Sequence, residues 1–273
     1  MIEAPYPEFE ELLTMIGEAG RRCSDIEASE GAAGNISVYL GWPVDPRRHF
    51  PLVETISLPQ PVPELAGGVF LVTGSGRRLR EIILDPAANL GCVVVGENGQ
   101  SGRLYTSPRR LFQHLTSEFN SHLAVHYRLA MTTHTNFQTV IHAQPPYLTY
   151  LSHIPAYQDT LYLNRHLLRW QPELIVQLPE GIGHIPFRLP GSPALMEATV
   201  EALQKHCIVI WGKHGVMARS DVSVKRASDR IEYAETAARY EYMNLANHEL
   251  GEGLSPEEIR QVAQAFGVKQ DIF

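Results

Sequence analysis

Apolar positions first recur at helical spacing over residues 7–27. Leu12, Leu13, Ile16, Ala19 and Cys23 share one face there, which predicts an opening amphipathic helix. The stretch GAAGN at 31–35 breaks it, and Ile36, Val38 and Leu40 then alternate as a strand. Residues 41–68 are rich in proline and glycine but keep apolar residues interleaved, so they read as an ordered excursion between strands and not as a linker. A strand over Val69–Val72 runs into TGSG at 73–76, Asp85-Pro86 opens a short helix or turn, and Cys92–Val95 is a buried strand. A clear helix covers 116–130, capped by Thr116 or Ser117, with Phe119, Leu123, Val125 and Leu129 as its apolar positions.

Val140-Ile141 predicts a short strand ending at His142, and Tyr147–Leu151 begins a helix behind the turn Pro145-Pro146. Leu174–Leu178 reads as a strand turned by Pro179-Glu180-Gly181. A helix over 193–206 precedes a strand at Ile208–Trp211, which Lys213-His214-Gly215 closes. A long helix spans about 222–248, and Ser255-Pro256-Glu257-Glu258 opens the last one with a cap and a proline in its first turn. Strands and helices alternate without an internal repeat, so the class is α/β.

A chain of 273 residues is long for one domain and short for two, and one domain over 1–273 is the default. The formal charge of −7, with basic residues clustered only in the pairs Arg21-Arg22 and Arg77-Arg78, speaks against a nucleic-acid partner. No apolar stretch is long enough for a bilayer, and MIEAPYPEFEEL lacks the regions of a signal peptide. The expectation is a cytoplasmic protein with no membrane partner. Cys23, Cys92 and Cys207 lie far apart, which excludes a cysteine zinc knot, and the apolar runs around Cys92 and Cys207 predict buried, inert thiols. The 12 histidines direct the search for metal or acid–base chemistry elsewhere.

TGSG after a strand can be a turn or an anion-binding nest, with Ser75 adding a hydroxyl donor; it lacks the lysine of a P-loop. Gly34-Asn35 reads first as a helix stop and turn, and second as another donor for the same anion. Thr116-Ser117-Glu118 is either a cap or a carboxylate base beside an anion-binding helix terminus. Glu118, His122 and His126 are four apart and share a helical face, a spacing that could hold zinc, although no third ligand is marked locally. His142 and His214 each stand at a predicted strand end, where α/β sheets gather ligands.

FLVTGSGRRLREIILDPAANLG at 70–91, TSE at 116–118, VIH at 140–142 and KHCIVIWGKHGV at 205–216 together resemble the class II, metal-dependent sugar-phosphate aldolases, in particular those acting on rhamnulose 1-phosphate. SLPQPVPEL at 57–65 and EEIRQVAQAFGV at 257–268 fit as well, so the resemblance runs over essentially the whole chain. It implies a three-layer α/β/α fold with a mostly antiparallel central sheet, and a cyclic homotetramer with active sites between subunits. It also implies a divalent ion of the zinc type, and cleavage of a ketose 1-phosphate to dihydroxyacetone phosphate and an aldehyde. By the same resemblance Asn35, Ser75, Gly76 and Ser117 would hold the phosphate, Glu118 would be the acid–base residue, and His142 and His214 would be metal ligands.

Two departures stand out. Where the family has His-x-His, this chain reads His142-Ala143-Gln144, which puts a neutral amide at a ligand position. Gln144 is thus the expected third member of the metal set, with His134, His153 and His184 as possible replacements. The phosphate loop, Asn-Gly-Gly-Asn in the family, reads Ala32-Ala33-Gly34-Asn35. The competing readings are an adducin-type scaffold without catalysis, and a lyase or epimerase on another sugar phosphate.

Overall fold

The computed structural model describes residues 1–248 and 250–273. Nine strands form one sheet: β1 (Asn35–Leu40), β2 (Leu52–Ser57), β3 (Val69–Thr73), β4 (Leu90–Val95), β5 (Ser101–Thr106), β6 (Phe137–Ala143), β7 (Gly183–Ile185), β8 (Ile208–Trp211) and β9 (Gly215–Ser220). Their order is β2-β5-β4-β3-β1-β6-β9-β8-β7, and every neighbouring pair is antiparallel except β7 with β8. The helices are α1 (Phe9–Asp25), α2 (Leu79–Ile82), α3 (Pro86–Asn89), α4 (Phe119–Thr133), α5 (Pro146–Leu151), α6 (Thr160–Leu167), α7 (Pro172–Gln177), α8 (Pro193–Lys205), α9 (Val224–Ala246) and α10 (Pro256–Phe266).

Side-chain alternation sorts the sheet into two faces. Ile36, Val38 and Leu40 of β1, with Phe137 and Ile141 of β6, join a core with α1, α5 and α9. Tyr39 of β1, Phe70 and Val72 of β3, and Val140 of β6 pack on the other side against α4 and α8. Helices on both faces make three layers, and a strand covered on both sides is buried throughout. β1 is therefore buried at all six positions, not at alternate ones as its sequence pattern suggests. Ser37 and Gln138 are polar residues that the pattern assigns to solvent, and both lie fully buried under α4.

Three expectations need correction. Leu174–Leu178 is not a strand: α7 runs there, started by Pro172 in its first turn, with Leu174 and Ile175 buried. A five-residue apolar run does not separate strand from helix, and the proline is the decisive signal. Neither Thr116 nor Ser117 caps α4; Glu118 stands at the cap position, and Thr116 Oγ1 accepts from the Glu118 amide at 3.4 Å. Cys207 is only partly buried, because it lies at the turn before β8 and not within it. The excursion at 41–68 contains the edge strand β2, whose mixed sequence LVETIS is almost wholly exposed.

Candidate active site

The central strands β1, β6 and β9 lie side by side, in a register that sets Asn35 opposite His142 and His142 opposite Met217. His142 is the penultimate residue of β6, with its ring on the α4 face, stacked on Trp211 at 4.7 Å between centroids. Its Nδ1 donates to the Val216 carbonyl at 2.8 Å, which leaves the Nε2 lone pair free on the side of Glu118. His214 sits in the three-residue turn between β8 and β9, where Lys213 takes a left-handed φ of 64°. The turn is pinned by the amide of Lys213 donating to Ser152 Oγ at 2.7 Å and that of Gly212 to the Ile185 carbonyl at 2.8 Å. The following Gly215 is required, because a Cβ there would stand 2.4 Å from the Ala143 carbonyl oxygen. The His214 ring centroid lies 4.9 Å from that of His142. Burial, and then the neighbouring His142, hold the His214 ring below the usual histidine pKa and favour the neutral, ligating form.

Glu118, at the start of α4, is buried and points at both rings. Its Oε2 is 3.7 Å from His142 Nε2 and its Oε1 is 3.8 Å from His214 Nε2. One ligand atom from each of Glu118, His142 and His214 lies within 4.8 Å of the others. Two imidazoles and a carboxylate are a donor set that fits a divalent cation. His214 Nδ1 has no partner among the described residues. Gln144 follows directly after β6 and lines a cavity of about 430 Å³ together with His214, His153, Glu27 and Glu30. Its Cγ and the His142 Cε1 would stand 3.0 and 3.1 Å from a Cβ on Gly215, so both side chains approach the same glycine. His153 shares that cavity; His184 sits behind the hairpin against Gly212, and His134 ends α4.

The loops expected to hold an anion converge beside Glu118. The Ser75 amide donates to the His114 carbonyl at 2.8 Å and the Thr116 amide to the Thr73 carbonyl at 3.0 Å. The Ile36 amide donates to Thr73 Oγ1 at 3.1 Å. Ser75, Gly76 and Ser117 are exposed, Gly76 with a φ of 70°, and Ser75 lines a cleft of about 460 Å³ with Arg110 and His114. Asn35 is placed differently from these three. It is buried, and its Nδ2 donates to Glu118 Oε2 at 2.8 Å while its Oδ1 accepts from His122 Nε2.

His122 and His126 do share a face of α4, but their rings turn to Ser37 and not to a metal. Ser37 Oγ lies 2.6 Å from His122 Nδ1 and 2.7 Å from His126 Nε2. The Gln138 amide is assigned with its Oε1 toward the Ala130 amide at 2.9 Å and Thr135 Oγ1 at 3.2 Å, because the reverse assignment would set an NH2 group against the Ala130 N–H; its Nε2 then stands 3.1 Å from both His126 Nδ1 and the His126 carbonyl. Burial pushes His126 down to about 4 and His122 well below the usual histidine value. Sequence reasoning missed Ser37 and Gln138; only the packing of α4 over β1 and β6 marks them.

A family model, the Class II Aldolase and Adducin N-terminal domain, matches residues 15–242. The chain is similar to a rhamnulose-1-phosphate aldolase of Escherichia coli O81 (strain ED1a), with 32% identity over 213 residues, 78% of this chain and 77% of that protein. Among solved structures it is similar to a sugar-phosphate aldolase from Thermotoga maritima, with a TM-score of 0.71 and 26% identity, covering 87% of this chain and 96% of that one. The L-fuculose-1-phosphate aldolase of Thermus thermophilus shares the fold, with a TM-score of 0.55, 16% identity, and coverage of 90% and 100%. Among the described residues no helix is long and apolar enough to cross a membrane.

Proposed function

The chain belongs to the class II aldolase and adducin family, and from that premise we propose that it is a metal-dependent aldolase for a ketose 1-phosphate of the rhamnulose 1-phosphate kind. The products are dihydroxyacetone phosphate and an aldehyde. The observation that carries this reading is the convergence of Glu118, His142 and His214 on one point beside the loops of Ser75, Gly76 and Ser117.

Ser75, Gly76 and Ser117 present exposed hydroxyl and backbone donors, and these would anchor the phosphate, with Asn35 bordering the group from the Glu118 side. Anchoring a remote charged group directs binding energy into positioning the bond that breaks. His142, His214 and, more weakly, Gln144 would hold the divalent ion, for which zinc is the best match to imidazole donors. Such an ion supplies Lewis-acid stabilisation of the negative charge that a retro-aldol cut leaves on the three-carbon fragment. Glu118 stands against both ring Nε2 atoms, where a carboxylate can carry a proton to the electron-rich carbon. The whole chain acts as one such domain, in the cytoplasm and as a homotetramer, which light scattering should give directly; a monomer at micromolar concentration would refute the assembly.

The test is release of dihydroxyacetone phosphate from rhamnulose 1-phosphate by the purified protein with added zinc, read through a coupled reductase. Activity lost to a chelator and restored by the ion supports the reading. No release with zinc or manganese, or equal rates on the unphosphorylated ketose, would overturn it.

A further inference from the structure

We propose that Gln138, His126, Ser37 and His122 form a one-directional chain of buried hydrogen bonds that fixes the Asn35 amide and, through it, the Glu118 carboxylate, so that these four are positioning residues for proton transfer. The inference rests on the proposed role of Glu118, but the chain itself follows from geometry.

Its direction can be deduced link by link. The Gln138 oxygen is engaged by the Ala130 amide and the Thr135 hydroxyl, so its NH2 faces His126 Nδ1. That nitrogen must then accept, and the proton of the neutral His126 ring lies on Nε2. His126 Nε2–H donates to Ser37 Oγ, at 2.7 Å. The single Ser37 hydroxyl proton is therefore directed to His122 Nδ1, at 2.6 Å. His122 in turn carries its proton on Nε2 and donates to Asn35 Oδ1. With its oxygen so engaged, Asn35 can present only its NH2 to Glu118 Oε2, at 2.8 Å. A flipped Asn35 would set its oxygen against the carboxylate and leave His122 Nε2–H facing an NH2 group. The low pKa values that burial gives both rings agree with neutral tautomers but are not needed for the deduction.

Ser37, His122, His126 and Gln138 have no measurable solvent exposure. Water is excluded from the links among these four, and Asn35 and Glu118 at the end of the chain are buried as well, so the network is held by its internal partners. β1 supplies Asn35 and Ser37 two residues apart on one face, and α4 supplies Glu118, His122 and His126 four apart on another. The sheet register and the helix face thus meet to orient one carboxylate oxygen. The same network could serve only to satisfy buried polar groups. In that case its direction would not matter to turnover.

Two substitutions and one spectrum separate these roles. Glutamine carries its amide nitrogen near the position of Nε2 and asparagine near that of Nδ1. His122→Gln therefore keeps the donor to Asn35, while His122→Asn loses it. Expected is a fall in kcat of about 100-fold for His122→Asn, with KM changed only a few-fold, and a fall within about tenfold for His122→Gln. Equal losses in the two variants, or a loss confined to KM, would overturn the proposal. Independently of activity, nitrogen NMR of histidine-labelled protein should show both rings protonated at Nε2 and unprotonated at Nδ1, unchanged from about pH 6 to 9. Ser37→Ala should convert His122 to a mixture of tautomers. A ring protonated at Nδ1 in the parent, or an unchanged His122 signature in Ser37→Ala, would refute the chain. If the parent cleaves no sugar phosphate, the catalytic reading falls, and the spectra alone decide whether the directed chain exists.

Discussion

Gln144→His is the substitution that most directly interrogates the metal set. Residue 144 lies two positions beyond His142, so its side chain returns to the same side of the strand direction. The Gln144 Cγ and the His142 ring already approach one glycine, Gly215, from positions about equally close to it, and Gln144 shares a cavity with His214. An imidazole at 144 would therefore reach the same cluster, in a cavity of about 430 Å³ that leaves room for the ring. Replacing an amide oxygen by an imidazole nitrogen improves the match to zinc, and changes even in the groups behind the ligands are worth roughly 10- to 100-fold in affinity. Ordering the new ring costs about 0.5–1.5 kcal/mol, which trims the gain toward its lower end. The expected outcome is zinc binding at least about tenfold tighter, or about 1.4 kcal/mol, by isothermal titration or chelator competition. Equal affinity in parent and variant would refute the reasoning and point to a compensating ligand, with His153, Glu27 and Glu30 in the same cavity as the residues to replace next. If neither protein binds zinc, the metal site itself fails.

Glu118→Gln should abolish aldol cleavage by about 10²-fold or more while the fold and assembly persist, since an amide oxygen still accepts from Asn35; turnover within a few-fold of the parent would remove Glu118 from proton transfer. Ser75→Ala should raise KM for a phosphorylated ketose more than it lowers kcat, because an anion contact is made in ground and transition states alike; an equal effect on the unphosphorylated ketose would exclude the phosphate role. The buried neutral His126 should make stability fall with acid. A ring near 4 in the folded chain and near 6.5 in the unfolded one leaves stability fully present above 6.5 and lost progressively toward about 4, by about 3 kcal/mol, because the unfolded chain takes up the proton first. Denaturant titrations over that range test this, and a flat profile would count against it.

Periodicity located α1, α4, α8, α9 and α10, and also the buried strands β1, β3, β4, β6 and β8, because each carries a sustained apolar face. It passed over β2, β5 and β9, whose segments LVETIS, SGRLYT and GVMARS mix charged and small residues among the apolar ones, and the three-residue β7. Glu118, His142 and His214 were legible from the residues as three separate strand-end or helix-start signals and were joined only by the family resemblance; the sheet order that brings β6 beside β9 is a long-range property. Asn35 was legible as a polar residue at a strand start, but its coupling to Glu118 depends on its register with His142. Ser37 and Gln138 were illegible for a physical reason: polar residues inside strands look solvated until a helix is known to cover them.

Trp211 gives the site an optical property. Its buried indole lies 4.7 Å from the His142 ring and 5.3 Å from the His214 ring, stacked on both. The chain has three tryptophans, and the other two, Trp42 and Trp170, stack on or abut different rings, away from this pair. An indole against two imidazoles reports their charge state, since a protonated imidazole quenches its emission and a paramagnetic ion held by the same rings quenches it more strongly. The fluorescence of Trp211, isolated by replacing Trp42 and Trp170 with phenylalanine, is thus a built-in gauge of what the two histidines hold, readable without substrate and on the time scale of mixing.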